Sequence, residues 1–232
     1  MKTICIVPSA GKGRRLKVKE TKPFVMLGGH PLLSHTLKAL EASAPIDEII
    51  VVVSRDKLKA GRELIKKYEF NKVRAVISGG KRRFDSVRNA LRKVKDADLV
   101  LIHDGVRPFI SQDLIKKLLR AAKRFGAAVS AIPSRQTLKF IKENYRGQTS
   151  IDNFFIVNTP KRKFLWEAQT PQVFKKQLIV KAYKKVKGRN ATDDSSLVEK
   201  LGHRVKIVKG SFRNIKITTP EDLELAKIFV KK

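Results

Sequence analysis

One cysteine, Cys5, occurs in 232 residues, so no internal disulfide can form. It lies in a short apolar run, where it reads as a small core residue and points to a cytoplasmic setting. Acid is also scarce: 21 Asp and Glu face 52 Lys and Arg, a formal net charge of +31. Such a field draws anions, whether nucleotides, phosphorylated metabolites or nucleic acid. Yet the chain has no basic tail. Its cations are spread along the whole length, with only short clusters at Lys81–Arg83 and Lys161–Lys163. Nothing resembles a recognition helix or a stacking-aromatic motif, which argues against a dedicated nucleic-acid binder. No apolar run reaches the roughly 18 residues of a membrane span. The run Ile4–Val7 near the start ends at Pro8, before a charged loop, and reads as a first buried strand rather than a signal segment. A Ser-His-Asp order, Cys/His metal spacing and paired glycosidase-type carboxylates are all missing. So are repeats, low-complexity tracts and linkers. The simplest organisation is one domain over 1–232.

Strand-like and helix-like segments alternate. Apolar runs at 3–8, 48–54, 73–78, 98–104 and 127–133 read as strands, the β-branched "EIIVVVS" being covered on both faces. Between them, Leu32–Leu40 has helical spacing, Asp56 is placed to cap a helix carrying Leu58, Leu64 and Ile65, and Val87, Ala90, Leu91 and Val94 form one helix face. Ser111 caps a helix that Gly126 stops. This pattern predicts an α/β fold with a mostly parallel, twisted sheet, helices on both faces, and ligands beyond the C-terminal strand ends. The pattern breaks at about 136–160, where strand-like residues mix with the turn residues Asn144 and Gly147. This reads as a projecting two-stranded arm. Isolated hairpins are marginal in water, so the arm calls for a partner surface, most simply a second copy of the chain. Beyond it come a helix at about 175–187, a strand at "RVKIVKG", a strand at "NIKIT", and a last helix with Thr219 as cap and Pro220 at its first position.

The loop after the first strand, "SAGKGRRLKVKETKPF", matches neither common phosphate motif. A dinucleotide fingerprint needs a third glycine where Leu16 stands, and a Walker loop needs Gly-Lys-Ser/Thr. What remains is a run of small residues, Ser9, Ala10, Gly11 and Gly13, followed by Arg14, Arg15 and Lys22. Small residues let backbone N–H groups approach a phosphate, and the cations offer fork and point-charge contacts. The competing reading is a tight turn beside surface charge. Asp104 closes a buried strand and suits a hard divalent cation such as Mg²⁺, or else a salt bridge to Arg107. His103 beside it reads as a structural hydrogen-bonding residue. Lys216 stands between Ile215 and Ile217, so it is either a solvent residue of an edge strand or points into a charged site. "TDD" at 192–194 can be a simple helix cap.

Six segments in register, "PSAGKGRR…TKPF", "GGKRRFDSV", "HDGVRPF", "LWEAQTPQVF", "ATDDSSLVEKLG" and "NIKITTPEDLELA", resemble the 2-C-methyl-D-erythritol 4-phosphate cytidylyltransferase family over nearly the whole chain. The resemblance implies a Rossmann-like nucleotidyltransferase fold and transfer of a cytidylyl group from CTP to a polyol phosphate, with release of pyrophosphate. It assigns catalysis to Arg15, Lys22 and Lys216. Nucleotide binding falls to Ser9, Ala10, Gly11, Gly13, Gly80, Lys81, Asp85, Ser86 and Gly105. Mg²⁺ goes to Asp104, and the polyol phosphate to Arg107, Thr137, Arg162, Thr170 and Thr192. It also implies a homodimer in which the arm lends part of the site to the other subunit. Lys12, Arg14, Lys17 and Lys19 are left as solvated or supporting charge. Ser9 stands where many members carry Ala, "HDGVRP" replaces the commoner "HDAARP", Lys81 lies where some members have an acid, and Arg213 does likewise.

Three other readings compete. A ribitol-5-phosphate cytidylyltransferase shares fold and donor. A sugar-1-phosphate nucleotidyltransferase shares the Gly-rich loop. A non-catalytic nucleic-acid-binding protein would exploit the charge alone.

Overall fold

The computed structural model describes residues 1–11, 13–16, 20–143, 154–186 and 191–230. Strand β1 (Thr3–Ser9) leads through two 3-10 turns, Arg14–Leu16 and Lys22–Phe24, to a small hairpin of β2 (Met26–Leu27) and β3 (His30–Pro31). Helix α1 (Leu32–Glu41), β4 (Glu48–Val53), α2 (Leu58–Lys67), β5 (Val73–Ser78), α3 (Arg83–Leu91), β6 (Leu99–Ile102), α4 (Gln112–Phe125) and β7 (Ala127–Pro133) follow. Then come β8 (Phe140–Glu143), β9 (Phe154–Asn158), β10 (Trp166–Lys175), α5 (Lys176–Lys185), α6 (Ser195–Glu199), β11 (Lys206–Lys209) and α7 (Pro220–Val230).

The main sheet has seven strands in the order β11-β7-β10-β6-β1-β4-β5. Every pairing is parallel except those of β10, which runs antiparallel to both β6 and β7. The strand sequences explain why helices cover both faces. Side chains alternate across a strand, and in β1 Cys5 and Val7 enter one core while Ile4 and Ile6 enter the other. Strands β4 and β6 split in the same way: Ile49, Val51, Leu99 and Leu101 face α1, α2 and α4, whereas Ile50, Val52, Val100 and Ile102 face α3, α5 and α6. Phe174, fully buried on the second face, is the largest such side chain. Emptying a site of that kind to Ala costs about 3–5 kcal/mol.

A third apolar cluster, Leu16, Val25, Leu27, Leu32, Val106, Ile217 and Ala226, sits apart from the sheet cores. It packs the loop after β1 against the loop before α7. Lys22 and Lys216 each project from a segment anchored in this cluster. The chain turns from β1 toward β4 on one side and β6 lies on the other, so the β1 and β6 ends flank the point where strand order reverses. Open α/β sheets bind ligands at such a point.

Several expectations are met. Ser111 Oγ accepts the Leu114 N–H at 3.3 Å, and Gly126 ends α4 at φ 85°. Thr219 Oγ1 accepts the Asp222 N–H at 3.4 Å, and the Asp222 carboxylate returns the favour to Thr218 and Thr219 N–H at 2.8 and 2.9 Å. Others need correction. Asp56 does not cap α2; it lies in a 3-10 turn, Arg55–Lys57, that precedes the helix. "NIKIT" is not a strand. Residues 215–218 form a loop that reaches the rest of the fold through the Ile217 N–H bond to the Val106 carbonyl at 3.0 Å. The arm's strands are present as an antiparallel pair, with Ile141 opposite Ile156 and Lys142 opposite Phe155. Its turn residues Asn144 and Gly147 lie outside the described residues, as do Lys12, Lys17 and Lys19.

Candidate active site

A cavity of about 350 Å³ opens at the C-terminal ends of β1, β5 and β6. Its wall includes Pro8 and Ser9 from the end of β1, Ala10, Gly11 and Gly13 from the loop that follows, Gly80, Lys81 and Arg82 from the turn before α3, and Arg83 and Ser86 from its first turn. Arg15, Lys22, Asp104, Val106, Lys216 and Thr218 complete most of it. Among the described residues, six cationic side chains thus face one carboxylate. Such a concave, cationic, partly desolvated site concentrates polyanions.

Two glycines of this wall, Gly13 and Gly80, are there for space. Gly13 has φ 65°, and a Cβ on it would lie 2.6 Å from Lys22 Cβ. The loop therefore folds directly onto the lysine. Lys22 is 8% exposed. Burial, reinforced by the charges of Lys216 and Arg15, pulls its ammonium down to about 8. A cation held this way gains from an arriving anion, which restores the favourable partner that burial removed. Gly80 donates its N–H to Ser86 Oγ at 3.1 Å, and Ser86 Oγ donates in turn to the Arg82 carbonyl at 3.1 Å. Asp85 closes the start of α3 by accepting the Arg82 backbone N–H at 3.3 Å and its Nε at 3.1 Å.

Asp104 follows β6 and is 6% exposed. Its Oδ1 accepts from Arg83 Nε at 3.0 Å, and its Oδ2 pairs with Lys216 Nζ at 2.7 Å. Arg107 Nε stands off at 4.0 Å. Burial alone would raise this carboxyl, but the Arg83 guanidinium, Lys216 and Arg107 outweigh it and hold it well below the usual carboxylate range. Lys216 therefore takes the second of the two places open to it in the sequence: it points into the charged site. The alternative salt bridge from Asp104 to Arg107 is the weakest of the three contacts.

Behind Asp104 a buried network fixes its backbone. The Asp104 N–H donates to Thr170 Oγ1 at 3.0 Å, the Thr170 hydroxyl donates to His103 Nδ1 at 3.1 Å, and His103 Nε2–H donates to the Arg107 carbonyl at 3.0 Å. Burial lowers His103 to about 4, so it is neutral at pH 7 and structural. Arg107 itself donates through Nη1 to the Asn214 carbonyl at 2.7 Å, and Asn214 Nδ2 donates to the Thr170 carbonyl at 2.8 Å.

The structure thus brings Ser9, Ala10, Gly11, Gly13, Arg15, Lys22, Gly80, Lys81, Ser86, Asp104 and Lys216 onto one cavity. Asp85, Gly105, Arg107 and Thr170 stand directly behind that wall. Thr137, Arg162 and Thr192 do not line it. Two lining arginines, Arg82 and Arg83, were missed from the sequence. Arg83 sits among 52 basic residues, and both its carboxylate partners are remote in the chain. The "TDD" expectation resolves into two roles. Asp193 caps α6 by accepting the Ser196 N–H at 2.9 Å, while Asp194 is fully buried and pairs with Arg83 Nη2 at 2.7 Å.

A mostly parallel sheet with a nucleotide-sized cationic cavity at its switch point, and no Cys or His among the described residues of its wall, fits a nucleotidyltransferase. The family model described as 2-C-methyl-D-erythritol 4-phosphate cytidylyltransferase matches residues 3–232, and the chain belongs to that family. A relative of that description from Syntrophus aciditrophicus is 43% identical over 235 residues, covering 100% of this chain and 97% of its own. Another from Alkaliphilus oremlandii is also 43% identical, covering 99% and 95%. The crystal structure of 4-diphosphocytidyl-2C-methyl-D-erythritol synthase from Anaerococcus prevotii superimposes with a TM-score of 0.84 at 33% identity, covering 100% of this chain and 96% of the other.

Proposed function

We propose that this chain transfers the cytidylyl group of CTP to 2-C-methyl-D-erythritol 4-phosphate, releasing pyrophosphate. The observation that carries the reading is the convergence of the Gly-rich loop, Arg15, Lys22, Asp104 and Lys216 on one cavity in a chain of this family. A phosphate monoester has a second pKa of about 6, so the acceptor is largely dianionic at neutral pH and needs no base to attack. This agrees with His103 being neutral and buried away from the cavity. What the site must supply is alignment and charge neutralisation.

In this reading, Ser9, Ala10, Gly11 and Gly13 present backbone to the triphosphate, and Arg15 and Lys22 neutralise the leaving pyrophosphate. Lys216 faces the α-phosphate. Gly80, Lys81, Asp85, Ser86 and Gly105 shape the nucleotide side, Asp85 and Gly105 from behind the wall. Asp104 is the residue that would hold Mg²⁺. Among the described residues no group of three or more His, Cys, Asp or Glu could hold a metal alone. A lone carboxylate fits an ion that takes its remaining ligands from phosphate and water. Bound there, Mg²⁺ would add positive charge at the phosphate oxygens.

The polyol phosphate falls to Thr192 and to Thr137 and Arg162 at the base of the arm, with Arg107 and Thr170 fixing the Asp104 strand end between the two substrates. The arm bears Phe140, Phe155, Ile156 and Val157, all more than half exposed. That much bare apolar surface supports a homodimer in which one subunit's arm completes the other's site. One catalytic domain with a dimerisation arm is the organisation this implies. No helix among the described residues is long and apolar enough to cross a membrane.

Pyrophosphate release with CTP, Mg²⁺ and 2-C-methyl-D-erythritol 4-phosphate tests the assignment, with ribitol 5-phosphate as rival acceptor and ATP, GTP and UTP as rival donors. Faster turnover of ribitol 5-phosphate, or indifference to the base, would overturn it.

A further inference from the structure

Arg83 makes a contact pattern that the reaction as described does not use. Its Nε donates to Asp104 Oδ1 at 3.0 Å and its Nη2 to Asp194 Oδ2 at 2.7 Å. Asp194 is fully buried and occupied on its other oxygen, where the Tyr183 hydroxyl donates to Oδ1 at 2.5 Å. Its backbone N–H and that of Ser195 both donate to Gln172 Oε1, at 3.1 and 2.8 Å. The guanidinium is therefore tied at its far edge to an immobile carboxylate, and its near edge grips Asp104. The other oxygen of Asp104 is held closely by Lys216 at 2.7 Å, whose side chain is 39% exposed, while Arg107 Nε stands off from it at 4.0 Å. The two oxygens of this acid are thus unequal: one is clamped from the protein interior, and one is exchangeable from the cavity.

We propose that Arg83 is a positioning residue, which Asp194 and Tyr183 brace so that Asp104 presents Oδ2, and not Oδ1, to a divalent cation. The inference rests on Asp104 being the cation-holding acid. A planar fork is required for the task. Arg bridges two carboxylates at fixed angles, whereas the point charge of Lys grips only one. A cation held at Oδ2 would take the place of the Lys216 ammonium there, and leave that ammonium to phosphate.

The test uses the full-length protein and calorimetric titration of CTP, once in EDTA and once over a series of Mg²⁺ concentrations. The same Mg²⁺ series is followed in the pyrophosphate assay. Asp194→Asn keeps the shape of the brace but removes its charge and turns one of its two acceptor atoms into a donor. Arg83→Lys keeps the charge but not the bridge. Arg83→Ala is avoided because it strands a buried carboxylate. Both chosen variants should raise the half-saturating Mg²⁺ concentration about tenfold or more, as loss of a group orienting a metal ligand does, and leave CTP affinity in EDTA near the wild-type value. Tyr183→Phe should shift it in the same direction by less. Wild-type Mg²⁺ dependence in both Asp194→Asn and Arg83→Lys overturns the proposal. So does an equal loss of CTP affinity with and without Mg²⁺, which would make Arg83 a direct phosphate contact. Asp104→Asn separates the two levels of the argument. If the Mg²⁺ effect survives in that variant, the assignment of Asp104 has failed and this inference falls with it. If it vanishes there but persists unchanged in the Arg83 and Asp194 variants, the inference alone is lost.

Discussion

The loops around the cavity and the β8–β9 pair differ in what covers their side chains. At the cavity, charged groups are held by the interior: Asp104 and Lys22 are 6% and 8% exposed, and each stands on a segment anchored in an apolar cluster or a buried hydrogen-bond network. On the arm the relation is inverted. Apolar groups lie in the open, with Phe155 59% and Ile156 62% exposed among the described residues. One region holds its charged groups on buried supports, while the other has the composition of a core and the exposure of a surface. On the function proposed above, the nucleotide half of the site is preorganised by folding, whereas the acceptor half is completed by a second chain.

The comparison breaks first at the cavity. Lys216→Ala and Lys22→Ala should fold with near-wild-type thermal midpoints yet lose about 10²–10³ in kcat, the usual loss of one transition-state electrostatic contact. Steady-state kinetics beside thermal melting would check this, and wild-type turnover in either variant contradicts the roles given. The next largest effect belongs to the arm. Ile156→Asp should shift the protein from dimer to monomer in sedimentation velocity and abolish most turnover, while calorimetric CTP affinity stays unchanged. A monomer of full activity would show that the acceptor half needs no second chain.

Two smaller tests sharpen the preorganisation of the nucleotide half. A Cβ at Gly105 would collide with Ser9 Oγ. Gly105→Ala should therefore cost about 1–3 kcal/mol in denaturant unfolding, the usual cost of overpacking, and Ser9→Ala should recover much of it. No recovery in the double variant would place the clash elsewhere. The last concerns Lys22, which titrates at about 8 in the free protein. Its protonated form is the one that meets phosphate, so CTP affinity should fall about tenfold between pH 7 and pH 9 through this one proton. Binding in that range should take up a proton, read from calorimetry in buffers of different ionisation heat. An affinity that is flat with pH would mean Lys22 does not face the nucleotide.

Much of this is legible in the sequence. The strands of the sheet announce themselves because both faces are covered, which leaves continuous apolar runs such as Ile49–Val53. The Gly-rich loop and Asp104 were legible because polar residues at strand ends are conspicuous. "NIKIT" misled because its alternation of apolar residues, which looks like a strand, in fact buries Ile217 against Val106 and Leu16 in a loop. Arg83 was hidden for two reasons. In so basic a chain another arginine carries no signal, and its partner Asp194 is 111 residues away. The two roles of Asp193 and Asp194 were equally beyond reach, since only the packing of α5 and α6 decides which one faces inward.

The claim that the cavity is complete in one chain and the acceptor half is shared can be tested by mixing two inactive proteins. Lys216→Ala disables the cavity but leaves an intact arm, and Arg162→Ala does the reverse. After dissociation and reassociation at equal concentration, pyrophosphate release with CTP and 2-C-methyl-D-erythritol 4-phosphate should recover to roughly a quarter of the wild-type rate, because random pairing in a two-fold dimer restores one site in half of the dimers. A mixture that stays as inactive as its components would contradict a site shared between subunits.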